Sequence, residues 1–137
     1  MSENSFILKV FSPTGLILEE NVTSVIFPGT DGEVGVLPQH AHYVGSIGTG
    51  LLLFETTIAA EKGRIVISGG FARMKEGELH ILADKVILPD EAEDMAIGIE
   101  KKELEEFVKN SDGNTPEWSL AQTKLQILNA VESLKNA

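Results

Sequence analysis

The stretch Leu79-His80-Ile81-Leu82-Ala83-Asp84-Lys85-Val86-Ile87-Leu88-Pro89-Asp90-Glu91-Ala92-Glu93-Asp94-Met95 carries the change of vocabulary that decides the fold. Up to Leu88 apolar and polar residues alternate in short runs, the period of a half-buried strand. After Leu88 the chain turns to Asp, Glu, Ala, Lys and Leu with apolar residues three or four apart, the period of a helix. The expected boundary lies there, with a β domain over residues 1–88 and a helical domain over 89–137.

Working back towards the N-terminus, strands are expected over Phe6–Val10, Gly15–Glu19, Val22–Phe27, Leu51–Glu55, Arg64–Ser68, Phe71–Lys75 and Leu79–Leu82, with weaker ones near Val34, Val44 and Thr57. Between them lie Ser12-Pro13-Thr14-Gly15, Pro28-Gly29-Thr30-Asp31-Gly32, Glu61-Lys62-Gly63 and Lys75-Glu76-Gly77-Glu78. Gly takes positive φ at little cost and Pro presets the start of a turn, so these segments read as loops. Many short strands punctuated in this way indicate an all-β sandwich or barrel.

Working forward, one helix is expected from Pro89 or Asp90, with Asp90, Glu91, Glu93 and Asp94 at its positive dipole end. It would turn Ala92, Met95, Ile99, Leu104, Phe107 and Val108 inward, with Gly98 weakening its middle. Asn110-Ser111-Asp112-Gly113-Asn114 reads as a break. Thr115-Pro116-Glu117 then supplies an N-cap and a proline at the first helical position of a second helix, which runs to about Lys135. Its stripe is Trp118, Ala121, Leu125, Leu128 and Val131, widened by Leu120, Ile127 and Leu134. Two such helices joined by a polar turn form an antiparallel hairpin roughly 30 Å long.

The chain has 137 residues, 42% of them hydrophobic, enough for one well-packed core and too few for two large domains. Its formal net charge of −10, from 21 acidic against 11 basic residues, argues against nucleic acid and against direct binding to an anionic lipid surface. The absence of cysteine removes disulfides, thiolate metal sites and cysteine nucleophiles. No run approaches the roughly 20 apolar residues of a spanning helix, and Met1-Ser2-Glu3-Asn4-Ser5 lacks a basic region followed by an apolar one.

Candidate chemistry is sparse. His40 and His42, alternating on an extended segment, would share a face and could hold a metal, but only His80 remains as a further imidazole. Asp31 and Glu33 sit close together in a turn rather than across a cleft, the wrong arrangement for paired acid catalysis. Gly29, Gly32 and Gly35 are not followed by the Lys-Ser or Lys-Thr of a phosphate loop. Ser68-Gly69-Gly70 lacks the first glycine of a nucleophile elbow, position 66 being Val. No catalytic residue and no cofactor is expected, and a binding or structural role fits best.

The segment Gly32-Glu33-Val34-Gly35-Val36-Leu37-Pro38-Gln39-His40-Ala41 resembles the G-x-x-G-x-x-P-x-H-A signature of F-type ATP synthase epsilon subunits. Ser68-Gly69-Gly70-Phe71 and Leu82-Ala83-Asp84 resemble two further landmarks, in the same order and spacing. The resemblance implies a ten-stranded β-sandwich followed by an antiparallel two-helix hairpin. It also implies a non-catalytic central-stalk subunit linking the gamma subunit to the c-ring during rotary ATP synthesis coupled to proton transport. Thr30, Asp31, Gly32 and Glu33 would then meet the c-ring, and Ser12, His40 and Tyr43 the gamma subunit. Trp118, Leu125 and Leu128 would supply regulatory contacts to the alpha/beta catalytic head. The implied place is peripheral to the bacterial inner membrane, on its cytoplasmic side.

Three departures qualify what the resemblance implies. Gln39 stands where Gly is common and His42 where Pro is common, which alters the loop path near the gamma contact. No arginine follows Arg73, although ATP-binding relatives use arginines in the first helix, so nucleotide binding is not expected. Lys124 and Lys135 are balanced by Glu117 and Glu132 in the last helix, so electrostatic inhibition by that helix should be weak. The hairpin would either inhibit through apolar contacts or stay folded on the sandwich. A free-standing β-sandwich binding module with a helical dimerisation arm is the alternative, and a His40/His42 metalloenzyme the third class.

Overall fold

A computed structural model describes residues 4–39, 42–58, 61–93, 95 and 97–135. Seven strands come first: β1 (Phe6–Ser12), β2 (Gly15–Gly29), β3 (Gly32–Val36), β4 (Tyr43–Ser46), β5 (Thr49–Thr56), β6 (Lys62–Lys75) and β7 (Glu78–Ile87). Three helices follow: α1 (Pro89–Glu93), α2 (Gly98–Asn110) and α3 (Pro116–Lys135). The strands are hydrogen-bonded in the order β1-β7-β6-β5-β2-β3, with β4 beside β6, and a further β1–β2 pairing closes the circuit.

The expected ten strands become seven among the described residues for a definable reason. Gly15–Glu19 and Val22–Phe27 belong to the single strand β2, Arg64–Ser68 and Phe71–Lys75 to the single strand β6, and β5 ends at Thr56 without a separate strand at Thr57. Within β2 the buried positions change from Val22 to Val25 and Phe27, a slip of one residue that coincides with a register shift between Val22 and Ser24. Within β6 they change from Ile65 and Ile67 to Ala72 and Met74, on either side of Gly69 and Gly70. A one-residue slip moves every later side chain to the other face, so each long strand crosses from one layer to the other and reads as two runs.

Gly69 and Gly70 make that crossing in β6 with φ of +73° and +107°. A Cβ on Gly70 would lie 1.9 Å from the Leu82 carbonyl oxygen, so the position requires both the conformational freedom and the absent side chain of glycine. The Ser68 hydroxyl, buried, is 2.8 Å from Thr49 Oγ1 on β5, a structural partner for a serine that the motif left open. Between the two layers lies the main core, with Phe6, Leu8, Val10, Leu79, Ile81 and Met74 on one side and Val25, Phe27, Leu52, Ile65 and Ile67 on the other.

The expected two-helix hairpin is also corrected. Its first helix is broken into α1 and α2, with Met95 and Ile97 non-helical between them. Glu91 Oε1 accepts a hydrogen bond from the Leu88 backbone amide at 3.1 Å, tying down the start of α1. Ile97, instead of Ile99, is buried, while Ile99 is 79% exposed and Phe107 and Leu120 are also exposed, so these three do not face inward. Asp94 lies outside the described residues. The start of α3 is as expected: Thr115 Oγ1 accepts from the Trp118 amide at 3.1 Å, ahead of Pro116.

The two helices differ in how they are held. α3 buries Ala121, Ile127, Leu128, Ala130, Val131 and Leu134, most of them in a second cluster with Val66, Ile87, Ala92 and Ile97. α2 buries no residue and rests on α3 through Leu104, the Lys101–Glu132 ion pair at 3.0 Å and the Trp118 indole, which donates to the Val108 carbonyl at 2.9 Å.

Candidate partner-binding surfaces

The β2–β3 hairpin turns tightly at Thr30 and Asp31, between the paired residues Gly29 and Gly32, and carries Glu33 opposite Pro28. Thr30, Asp31, Gly32 and Glu33 are all exposed, as a projecting contact loop requires. The Thr30 amide donates to the Ser46 carbonyl at 3.3 Å, fastening the tip to β4. A groove of about 380 Å³ runs beside the tip and is walled by Tyr43, Val44, Gly45 and Ser46. Tyr43 therefore lies beside this hairpin: its ring packs edge-on against Phe27 at 6.3 Å and its hydroxyl end covers Gly45.

Ser12 closes the β1–β2 hairpin opposite Gly15, with its hydroxyl 2.8 Å from that of Thr14. His40 lies outside the described residues. His42 is exposed, and among the described residues no three His, Asp or Glu side chains converge as a metal-ligand set. Trp118 and Leu128 are engaged internally in this arrangement, Leu128 in the helix-to-sheet cluster, while Leu125 is half-buried.

Strand register assembles a surface that no single run reveals. The pairs Leu16↔Phe11, Phe11↔Leu82 and Leu82↔Phe71 place four apolar residues side by side across β2, β1, β7 and β6 on the outer face of the sheet. Directly opposed residues share a face, and at the spacing of neighbouring strands this row spans roughly 14 Å. Leu16 is 51%, Leu82 48% and Phe71 59% exposed, and beside them Val44 of β4 is 71% exposed. On β4 it is Val44, opposite Arg73, that presents outward, whereas Tyr43 turns towards the core. Ser12 follows Phe11 on β1 and lies opposite Gly15, near the Leu16 end of the row.

A polar row runs parallel to it through Glu19, Lys9, His80 and Arg73, and meets Val44 on β4. Glu78 Oε1 accepts from His80 Nε2 at 2.8 Å and from Lys9 Nζ at 3.3 Å. The hydrogen bond from His80, then that from Lys9, holds the Glu78 carboxyl below its usual pKa. Phe11 meets the edge of the His80 ring at 5.7 Å, joining the polar row to the apolar one.

The comparisons with known proteins bear on this arrangement directly. Residues 5–89 match the family described as ATP synthase, Delta/Epsilon chain, beta-sandwich domain. The chain belongs to the ATP synthase delta/epsilon family. An ATP synthase epsilon chain from Leptospira interrogans is 34% identical over 129 residues, covering 93% of this chain and 97% of that one. One from Desulfitobacterium hafniense is 36% identical over 102 residues, covering 74% and 75%. Among solved structures, a chain of the Euglena gracilis mitochondrial ATP synthase with OSCP, F1 and c-ring superposes with a TM-score of 0.77 at 26% identity, over 95% of this chain and 81% of that one. A chain of the Tetrahymena thermophila mitochondrial ATP synthase central stalk and c-ring shares the fold at a TM-score of 0.64 and 9% identity, over 98% and 99%. Both the β-sandwich and the helices after it are thus epsilon-type features. Among the described residues no helix is long and apolar enough to cross a membrane.

Proposed function

We propose that this epsilon-type chain is a non-catalytic central-stalk subunit that joins a gamma subunit to the c-ring of a rotary, proton-transporting ATP synthase. The observation that carries the reading is the uncovered apolar row Leu16–Phe11–Leu82–Phe71 with Val44 beside it. Large contiguous apolar patches are uncommon on monomers and mark contact surfaces. The gamma subunit docks on this face, next to Ser12. The Thr30–Glu33 tip, stiffened by its bond to β4, reaches the polar loops of the c-ring while its carboxylates stay hydrated. The subunit is peripheral to the membrane and needs no segment inserted in it.

The helices regulate ATP hydrolysis only on leaving the sandwich, because Trp118 and Leu128 are engaged internally while they are folded on it. Leu125 and the exposed Leu120 then extend the surface offered to the catalytic head. The test of the docking reading is co-purification with a gamma subunit from the same source, comparing the native chain with a Phe71→Asp/Leu82→Asp variant. Retention of the native chain and loss of the folded variant is expected. Equal retention of both removes the apolar row from the interface, and binding by neither returns the chain to the free-standing module.

A further inference from the structure

We infer that Arg73 is the charged anchor of the bare sheet face, and that the gamma segment docking there carries a carboxylate flanked by apolar residues. The inference rests on the docking reading above and adds the chemistry of the partner. Arg73 is exposed on the same face as the apolar row. Lys9, His80 and Arg73 occupy successive strands of one row. Glu19 of β2 ends that row opposite Lys9, and Glu78 accepts from Lys9 and from His80. Arg73 makes no ion pair among the described residues; it lies opposite Val44 of β4 and His80 of β7, two residues from Phe71, and lines a small polar pocket with Lys75, Glu76 and Glu78.

A guanidinium set between an exposed valine and an exposed phenylalanine has a specific use. Its planar fork matches a carboxylate bidentately, and apolar neighbours that exclude water on docking strengthen the pair. Arginine beside aromatic residues is also the composition of interface positions that dominate binding. Lys75, two residues further along β6, lies opposite Glu78. The apolar row supplies contact area, and Arg73, opposite Val44 and two residues from Phe71, supplies orientation by pairing with an acid on the partner.

The experiment measures binding of the purified full-length chain to the gamma subunit at low and high salt, with Arg73→Glu, Arg73→Lys and Phe71→Asp as variants. Arg73 is exposed, so its variants should keep the native melting temperature. Arg73→Glu is expected to weaken binding on the order of tenfold or more at low salt, with Arg73→Lys recovering part of the loss and native binding falling as salt rises. Native-like, salt-insensitive binding by Arg73→Glu, with Phe71→Asp still impaired, overturns the carboxylate anchor and leaves the docking face standing. Unimpaired binding by Phe71→Asp as well overturns the docking face itself.

Discussion

The two outer faces of the sandwich start from similar sequence and end differently. On one, Leu51 of β5, Val66 of β6 and Ile87 of β7 lie under α3 and contribute to a closed cluster. On the other, Leu16, Phe11, Leu82 and Phe71 form a row of the same character with no helix over it. A single strand, β6, serves both, contributing Val66 to the first and Phe71 to the second. An outward apolar residue is therefore satisfied within the chain in one place and left for another molecule in the other. The difference is decided by which face the C-terminal helices cover.

The strongest way to break this contrast is to charge both faces. Val131 is fully buried where α3 meets the sheet, so Val131→Asp leaves an unpaired charge there at a cost of about 3–5 kcal/mol. The expected outcome is release of α3, seen as rapid proteolysis after residue 93, while the sandwich stays folded. Phe71→Asp on the bare face should change the stability of the isolated chain by no more than about 0.5 kcal/mol. Comparable destabilisation by the two substitutions would mean that the bare face is structurally required and not reserved for a partner.

The crossing between the faces can be tested on its own. Gly70→Ala combines a positive φ with a collision against the Leu82 carbonyl, so it should cost about 2–3 kcal/mol, read from the urea midpoint. Gly35→Ala is the matched control: its Cβ would meet nothing within 4 Å and its φ is not in the left-handed region. If Gly70→Ala proves as mild as the control, β6 does not depend on this kink to reach the second layer.

Much of this architecture was legible in the residues, and the failures share a cause. Alternation and turn chemistry located the hairpins at Ser12–Gly15, Gly29–Gly32 and Lys75–Glu78, because those signals are local. Ser68-Gly69-Gly70 was read as a break between strands, since a positive-φ glycine serves equally for a turn or for a kink within a strand. The continuous helix from Pro89 failed by phase: Ala92, Met95 and Ile99 fit one helical stripe, but the break buries Ile97 and leaves Ile99 outside. Gly98, the first residue of α2, was the available warning. The apolar row was missed because its members come from four separate runs, and only cross-strand register shows that Leu16, Phe11, Leu82 and Phe71 are neighbours. Gln39, noted as standing in place of a common glycine, does adopt a φ of 64°, the left-handed backbone that glycine favours.

The smallest expected effect concerns the polar row. Lys9 from β1 and His80 from β7 hydrogen-bond to Glu78, Lys75 of β6 lies directly opposite it, and Arg73 follows in the next row. Its carboxyl titrates below the usual glutamate range in the folded chain. A depressed carboxylate pKa means that the unfolded chain binds the proton more readily, so Glu78 contributes to stability above the ordinary glutamate pKa. That contribution is lost as the pH falls through the lowered folded value. Glu78→Gln should therefore melt slightly below the native chain at pH 7, with the gap closing as both are carried below about pH 4. Because Glu78 is at the surface, solvent and salt should shrink the gap further, and high salt at pH 7 is expected to reproduce much of the effect. A gap that persists unchanged at acid pH would assign the role of Glu78 to side-chain packing. Its two donors would then be held in place by the sheet instead of by its charge.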